Sequence, residues 1–254
     1  MTKPNLTDQP AKRDLLRGLS DALSTLAQRL QTQETIKRMI FLLATRAESI
    51  AAQAWDLNAK KGRDVERAAQ ELADALNGFS KSFTELAERV AEDIASGQSI
   101  GTAIAALANG LLTVGRAADA AGGTSSTMAQ LRPLAASLTA LATHQQNDIQ
   151  VANDSAALAE RATELAGRAQ TITTQTGMRN AARTGMDLHY ALRSIADDSA
   201  AVSLRLTTET KLLKAAVADM ADGTRKLAAA NTAKGKTVQD EIAADRIRQM
   251  VRKG

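Results

Sequence analysis

The stretch that decides the fold runs from Leu16 to Ile94. Its residues 16–57 read LRGLSDALSTLAQRLQTQETIKRMIFLLATRAESIAAQAWDL. Apolar residues return there every three or four positions, and the recurrence continues as far as Ile94. This period is typical of an amphipathic α-helix whose apolar face must be buried against another helix. No proline interrupts residues 16–94, so the sequence predicts long, continuous helical segments.

Most of these apolar residues occupy the a and d positions of heptads, which we call the seam. Gln33 interrupts the seam, and the short step from Gln33 to Ile36 predicts a local overwinding of the supercoil. We expect Gln33 to set the register and the seam to bind a partner helix, although spacing leaves open whether that helix belongs to the same chain. The predicted partner-binding residues are Leu16, Leu19, Leu23, Leu26, Leu30, Ile36, Ile40 and Leu43.

Glycines predict where the helices end. At Lys60–Gly62, either one very long helix continues or two helices meet. Gly97 is expected to be a left-handed helix stop, followed by a short break to Gly101. A hairpin is expected near 121–125, where Gly122 and Gly123 would fold the first half of the chain against the second. Further breaks are expected within Gly177–Gly185 and at Gly223.

Composition supports a helical fold with thin interfaces. The 254 residues include only three Phe, one Trp and one Tyr, while strong helix formers dominate and β-branched runs of strand length are missing. We therefore predict an all-α fold, an elongated antiparallel helical bundle or coiled coil made of long helices. Its predicted parts are a flexible lead at 1–9, the bundle at 10–227, and a loose spacer followed by a basic amphipathic helix at 228–254.

The net charge of +4 is concentrated in the C-terminal tail. Residues 225–254 hold eight basic and three acidic residues, a balance of +5, so the rest of the chain sums to −1. A body that binds nucleic acid is therefore not expected. On a helix, four basic residues would surround one apolar face and could contact an acidic surface; they are Arg246, Arg248, Arg252 and Lys253.

The residue types present give little support to catalysis or metal binding. Without cysteine, the chain has no disulfide, thiolate nucleophile or cysteine-ligated metal. His144 and Asp148 lie one helical turn apart, but two ligands are too few for a metal site. His189 and Tyr190 are expected to pack or to lie on the surface. Gly97–Gly101 lacks the lysine of a phosphate-binding loop. We predict a protein that is not an enzyme and holds no cofactor or metal.

Membrane contact is a second hypothesis. Residues 96–115 carry no charge, and the segment from Ile100 to Val114 is either a buried helix of a soluble protein or an element that inserts into a membrane. The first fourteen residues, MTKPNLTDQPAKRD, lack the apolar core of a signal peptide. We expect a cytoplasmic protein that is also able to lie at the inner membrane face through its basic C-terminus.

One motif resembles a known family. Residues 62–72, GRDVERAAQEL, resemble the Gly-Arg-x-apolar-x-x-x-Ala-x-Glu-apolar pattern on the distal signalling hairpin of bacterial methyl-accepting chemotaxis proteins. Residues 42–44 and 50–52 are similar to that family's Leu-Leu-Ala and Ile-Glu-Ala-Ala elements. The resemblance covers about thirty residues and implies a cytoplasmic four-helix coiled-coil bundle that transmits a conformational change to a kinase.

The sequence thus favours a non-enzymatic helical scaffold or signalling adaptor that forms homo-oligomers and contacts protein partners through its helices. Trp55 flanks the seam residues Ala54 and Leu57, and it either packs on a partner helix or forms an exposed docking spot. The alternative is a membrane-active or lipid-surface protein that uses 100–114 or the basic C-terminal helix.

Overall fold

The structure is a computed structural model that describes residues 8–120, 126–147, 149–174 and 178–232. These residues form five α-helices, one short 3₁₀ turn and no strand, which confirms the predicted all-α class. The helices are α1 (Asp8–Asp56), α2 (Arg63–Ala120), α3 (Ser126–Asn147), α4 (Gln150–Thr174) and α5 (Met178–Thr232).

The predicted break at Lys60–Gly62 is confirmed as a meeting point of two helices. A 3₁₀ turn at Leu57–Ala59 follows α1, and Gly62 has a φ of 59°, in the left-handed region that favours glycine. Asp64 and Glu66 lie in the first turn of α2, where negative charge stabilises the positive end of the helix dipole.

Two other predicted stops are wrong. α2 continues through Gly97 and Gly101, and α5 continues through Gly223. Both Gly97 and Gly223 instead admit a side chain from a neighbouring helix. A Cβ at Gly97 would overlap the guanidinium of Arg29, and a Cβ at Gly223 would lie 2.6 Å from Cδ1 of Leu134. These glycines therefore permit close packing of helices that do not end there.

The remaining predicted helix boundaries differ in outcome, and several fall outside the described residues. The predicted hairpin at 121–125 lies outside the described residues, and so does Gly177, although Gly185 is inside α5. The sequence pattern missed the division between α3 and α4, which leaves Ile149 as an exposed residue between the two helices. Residues 228–232 of the predicted spacer belong to α5, and the rest of that segment is outside the described residues.

The chain divides into two compact units. Of the described residues, unit 1 comprises 8–32, 94–120, 126–147 and 209–232, and unit 2 comprises 33–93, 149–174 and 178–208. Helices α1, α2 and α5 each contribute residues to both units, α3 belongs to unit 1 and α4 to unit 2.

Unit 2 is a four-helix bundle in which α1 and α4 each lie next to both α2 and α5. The contacts that define these neighbours are Gln33 with Asp93, Arg46 with Gly78, Ser80 with Thr163, Arg161 with Asp198, Arg205 with Asp154, and His189 with Ala51. Residue numbers rise along one helix of a pair as they fall along the other, so neighbouring helices are antiparallel. This arrangement is the up-and-down bundle.

The core of unit 2 is built on a stripe wider than a two-stranded seam. Phe79 and Phe83 are fully buried and meet edge to face, with ring centroids 4.9 Å apart. Ala51, Ala166 and Ala196 are buried beside the a and d positions of their helices. Three buried positions per heptad are typical of a helix that faces several neighbours in a globular bundle.

Unit 1 has its own apolar core from α1, α2, α3 and α5. Gly18 on α1 lies against Leu107 on α2, and Gly110 on α2 lies against Leu15 on α1. Each glycine receives a leucine of the opposite helix, which brings the two antiparallel backbones close together. The buried cluster is Leu19, Ala22, Leu23, Leu26, Leu30, Ile100, Ile104, Ala108, Leu111, Leu131, Leu134, Ala135, Leu138, Leu141, Ala142, Leu213, Met220 and Ala221.

Two helical glycines of unit 2 test whether close backbone approach holds the bundle together. A Cβ at Gly185 would lie 2.7 Å from the carbonyl oxygen of Ala54, whereas a Cβ at Gly167 would meet nothing within 4 Å. We expect Gly185→Ala to lower the free energy of unfolding by about 1–3 kcal/mol, because α1 and α5 must separate. Gly167→Ala should raise it by up to about 1 kcal/mol, since alanine is the better helix former.

Urea unfolding followed by circular dichroism at 222 nm measures both variants. Equal changes in the two variants would show that the α1–α5 contact does not depend on the missing side chain at position 185.

Candidate functional site

The predicted partner-binding seam is buried inside this chain. Leu19, Leu23, Leu26 and Leu30 lie in the core of unit 1, and Leu16 beside them is half-buried. The seam residues of unit 2, Ile36, Ile40 and Leu43, are also buried. These side chains pack against other helices of the same chain, which is one of the two alternatives that the spacing left open. Their role in binding another protein stays a prediction.

The polar interruption at Gln33 is part of a buried pair. Gln33 is 2 % exposed and Asp93 is 6 % exposed, and Nε2 of Gln33 donates a long hydrogen bond of 3.5 Å to Oδ2 of Asp93. Burial of a carboxylate is costly unless donors surround it. Because Gln33 is on α1 and Asp93 is on α2, the pair favours one register of these two helices over its neighbours.

Sequence reasoning identified Gln33 and missed Asp93. The signal was present, because Asp93 follows Val90 by one helical step and precedes Ile94, and both of these apolar residues belong to the seam. A charged residue at such a position is easily assigned to the exposed face next to it, since the two positions are adjacent in sequence.

Unit 1 also contains buried polar residues, and they lie next to its apolar cluster. Gln145 and Thr210 lie three positions from the cluster members Ala142 and Leu213, and the buried Gly97 lies three positions from Ile100. Arg29 precedes Leu30, is 3 % exposed, and places its guanidinium over Gly97. Oε1 of Gln145, a residue that is 1 % exposed, accepts no hydrogen bond from the described residues.

An exposed stripe runs along the outer face of α1 in unit 2. Its members follow steps of four and three residues and are Phe41, Thr45, Glu48, Ala52 and Trp55. Phe41 is 66 % exposed and Trp55 is 47 % exposed. We call these five residues the α1 outer stripe. The stripe has the same a and d spacing as the buried seam and lies on the opposite side of the helix.

Trp55 packs on another helix of this chain and remains partly exposed, and its use as a docking spot stays a prediction. Its ring lies 5.1 Å from the ring of His189 on α5, yet almost half of its surface remains exposed. Nδ1 of His189 is 2.8 Å from the backbone oxygen of Ala51; a carbonyl oxygen only accepts, so this hydrogen bond requires a proton on Nδ1 and holds the imidazole beside the indole. His189 also meets Tyr190 edge to face at 5.2 Å, so the expectation of packing and surface roles for this pair is confirmed.

The described residues contain no group of three or more His, Cys, Asp or Glu side chains able to hold a metal ion. The surroundings of His144 and Asp148 lie outside the described part of the chain. Gly97–Gly101 is helical, so its backbone amides are occupied by the α2 hydrogen-bond ladder and do not form a phosphate-binding loop.

The uncharged segment from Ile100 to Val114 lies within α2, where Ile100, Ile104, Ala108 and Leu111 are buried in the core of unit 1. In the part of the chain that the structure describes, no helix has both the length and the apolar character needed to cross a membrane. The predicted acidic-surface contacts Arg246, Arg248, Arg252 and Lys253 lie outside the described residues.

No family model, curated protein or solved structure matches this chain. The motif at 62–72 spans the α1–α2 turn and the first turns of α2, where Val65, Ala69 and Leu72 are buried. The resemblance to chemotaxis proteins therefore stays a prediction.

Replacing Gln33 tests the buried pair. Gln33→Leu completes the apolar seam but removes a donor from the Asp93 carboxylate, so we expect the free energy of unfolding to fall by about 1–3 kcal/mol. The matched control is Gln53→Leu, the same change at an exposed position of α1 in unit 2, which should stay within about 0.5 kcal/mol of the parent.

Combining Gln33→Leu with Asp93→Asn measures the coupling of the two residues. The cost of Gln33→Leu should be smaller when residue 93 is neutral, because an amide is less costly to bury than a carboxylate. A stabilising Gln33→Leu in the parent chain would show that the pair is not a structural determinant.

Proposed function

We propose that this protein is a non-enzymatic helical scaffold or signalling adaptor that binds an amphipathic helix of a partner protein on the α1 outer stripe. The observation that supports it is the exposure of Phe41 and Trp55 on one face of a helix whose opposite face is already buried in unit 2. The seam residues are engaged within the chain, so the partner is assigned to the outer face.

The dimensions of the stripe suit a helix. Phe41 and Trp55 are fourteen residues apart, which is about 21 Å along α1 at 1.5 Å per residue. A partner helix of about four turns spans this distance and presents apolar side chains at its i, i+3 or i+4, and i+7 positions. A few anchor residues, often aromatic, carry most of the binding free energy of protein interfaces.

The residues between Phe41 and Trp55 indicate which side chains the partner helix should carry. Ala52 is small and lets another backbone approach closely, while Glu48 is exposed between the two aromatic residues. A lysine or arginine on the partner would pair with Glu48 and select one orientation of the bound helix. The signalling part of the proposal comes from the resemblance of residues 62–72 to a chemoreceptor hairpin.

The alternative function at a lipid surface gains no support from residues 100–114, since Ile100, Ile104, Ala108 and Leu111 pack in the core of unit 1.

A photoactivatable cross-linking residue at position 52 tests the assignment. We expect it to capture a protein in cells of the native host, and the captured protein, once purified, should shift the emission of Trp55, the single tryptophan of the chain. Phe41→Ala should weaken the measured affinity by about tenfold to a hundredfold, because one of the two aromatic anchors is lost.

Leu42→Ala is the matched control. Leu42 is 65 % exposed on the same helix but lies about 100° around it from Phe41, so its removal should leave the affinity unchanged. Equal losses for Phe41→Ala and Leu42→Ala, or a captured protein that binds without any change at Trp55, would contradict the proposal.

A further inference from the structure

A second exposed stripe follows the outer face of α5 in unit 2. Its residues are Met186, Tyr190, Arg193, Asp197, Ala200 and Leu204, joined by steps of four, three, four, three and four. All six are exposed, with Tyr190 at 60 % and Leu204 at 70 %. We call this set the α5 outer stripe. It has the alternating a and d spacing of a coiled-coil seam, and it lies opposite the buried face that contains Leu188, Leu192 and Ile195.

The two charged residues at the centre of the stripe differ from their neighbours. Asp198 pairs with Arg161 and Arg205 pairs with Asp154, and both ion pairs join α5 to α4 inside unit 2. Arg193 and Asp197 have no ion-pair partner among the described residues. They present one positive and one negative charge, one helical turn apart, on the outward face of the helix.

We propose that the α5 outer stripe binds the same stripe of a second copy of this chain, with the two α5 helices antiparallel about a two-fold axis at the level of residue 195. In that register Arg193 of each copy faces Asp197 of the other, so the dimer contains two such ion pairs. Met186 faces Leu204 of the second copy, and the large Tyr190 faces the small Ala200. A two-fold contact of this kind is self-complementary, as an isologous interface requires.

Charge selects this arrangement over its main competitor. A parallel pairing in register would place Arg193 against Arg193 and Asp197 against Asp197 at the centre of the interface, where like charges repel. Polar residues at a and d positions commonly specify register and orientation in this way. Apolar residues on both sides of the charged centre supply the contact area, and the charges supply the orientation.

The contact is short, which sets the conditions for observing it. Residues 186–204 extend over about 27 Å of helix, so a single helix pair buries less area than a permanent dimer and the association depends on concentration. The two stripes share no residue, although Trp55 and Tyr190 both pack against His189. The charge variants at positions 193 and 197 change neither of these two ring contacts, so they test the self-association without altering the α1 outer stripe.

Sedimentation velocity of the full chain from about 5 to 500 μM should show a reversible monomer–dimer equilibrium, a range suited to a small, transient interface. Arg193→Asp and Asp197→Arg should each weaken the dimer about tenfold or more, because each places like charges opposite one another. The combined variant should restore the parent affinity, since the ion pairs form again with reversed signs.

Mixing the two single variants gives the sharpest outcome. A chain with Arg193→Asp and a chain with Asp197→Arg should associate with each other better than either does with itself, because only the mixed dimer pairs opposite charges. Circular dichroism confirms that each variant is folded. A chain that stays monomeric at all concentrations, or a dimer that ignores these charges, would overturn the proposal.

Cysteines introduced into this cysteine-free chain determine the orientation. Tyr190→Cys together with Ala200→Cys should form disulfide-linked dimers on mild oxidation, because the two positions face each other across the antiparallel contact. Tyr190→Cys alone should not, since the two copies of residue 190 would lie ten residues, about 15 Å, apart along the axis. Efficient cross-linking of Tyr190→Cys alone would show a parallel contact and refute the antiparallel one.

Discussion

The structure depends on one constraint: an isolated helix with an apolar stripe is unstable in water, so each stripe must be buried against others. This chain meets the constraint internally. In unit 2, segments of α1, α2, α4 and α5 bury their stripes in one bundle, and in unit 1 segments of α1, α2, α3 and α5 do the same around a separate apolar cluster. The seam leucines, which could have packed against a second chain, are therefore already buried against helices of the same chain.

A chain with few aromatic residues achieves this burial through close approach of helices. Gly18 and Gly110 each admit a leucine from the opposite helix, and Gly185 lies against the backbone of Ala54. Dispersion contacts are made only at short range, so small residues let alanine-rich helices gain contact area that bulky side chains would supply in a thicker core. Gln33 and Asp93 then distinguish one register from many similar ones, which alanine and leucine alone do poorly.

The all-α class, the turn at Lys60–Gly62 and the burial of Leu19 to Leu43 were predictable, because each follows from local periodicity or from the conformation of one residue. The roles of Gly97 and Gly223 were not predictable. A glycine in a helical pattern suggests a helix stop, and only the structure shows that Arg29 lies opposite Gly97 and Leu134 opposite Gly223. Asp93 was missed because a charged residue beside the seam is easily assigned to the exposed face, and its partner Gln33 is sixty positions away in the sequence. Of the candidate site, sequence reasoning found Trp55 and overlooked Phe41, because Phe41 and Leu42 immediately precede the buried Leu43 and the three look alike.

Helix geometry explains why function is expected on the outer faces. A helix can carry two stripes of a and d spacing, one on each side. Each residue of the outer stripe then lies two positions before a residue of the inner stripe, as Phe41 does before Leu43 and Tyr190 before Leu192. On α1 and α5 the inner stripe is mostly apolar, with few polar residues such as Gln33 and Ser199, whereas the outer stripes mix aromatic anchors with single charges such as Glu48, Arg193 and Asp197. Uniform apolar stripes give stability but little discrimination, while isolated charges between apolar anchors penalise a wrong partner or orientation. The inner faces thus account for the fold, and the outer faces carry the residue pattern that selective binding requires.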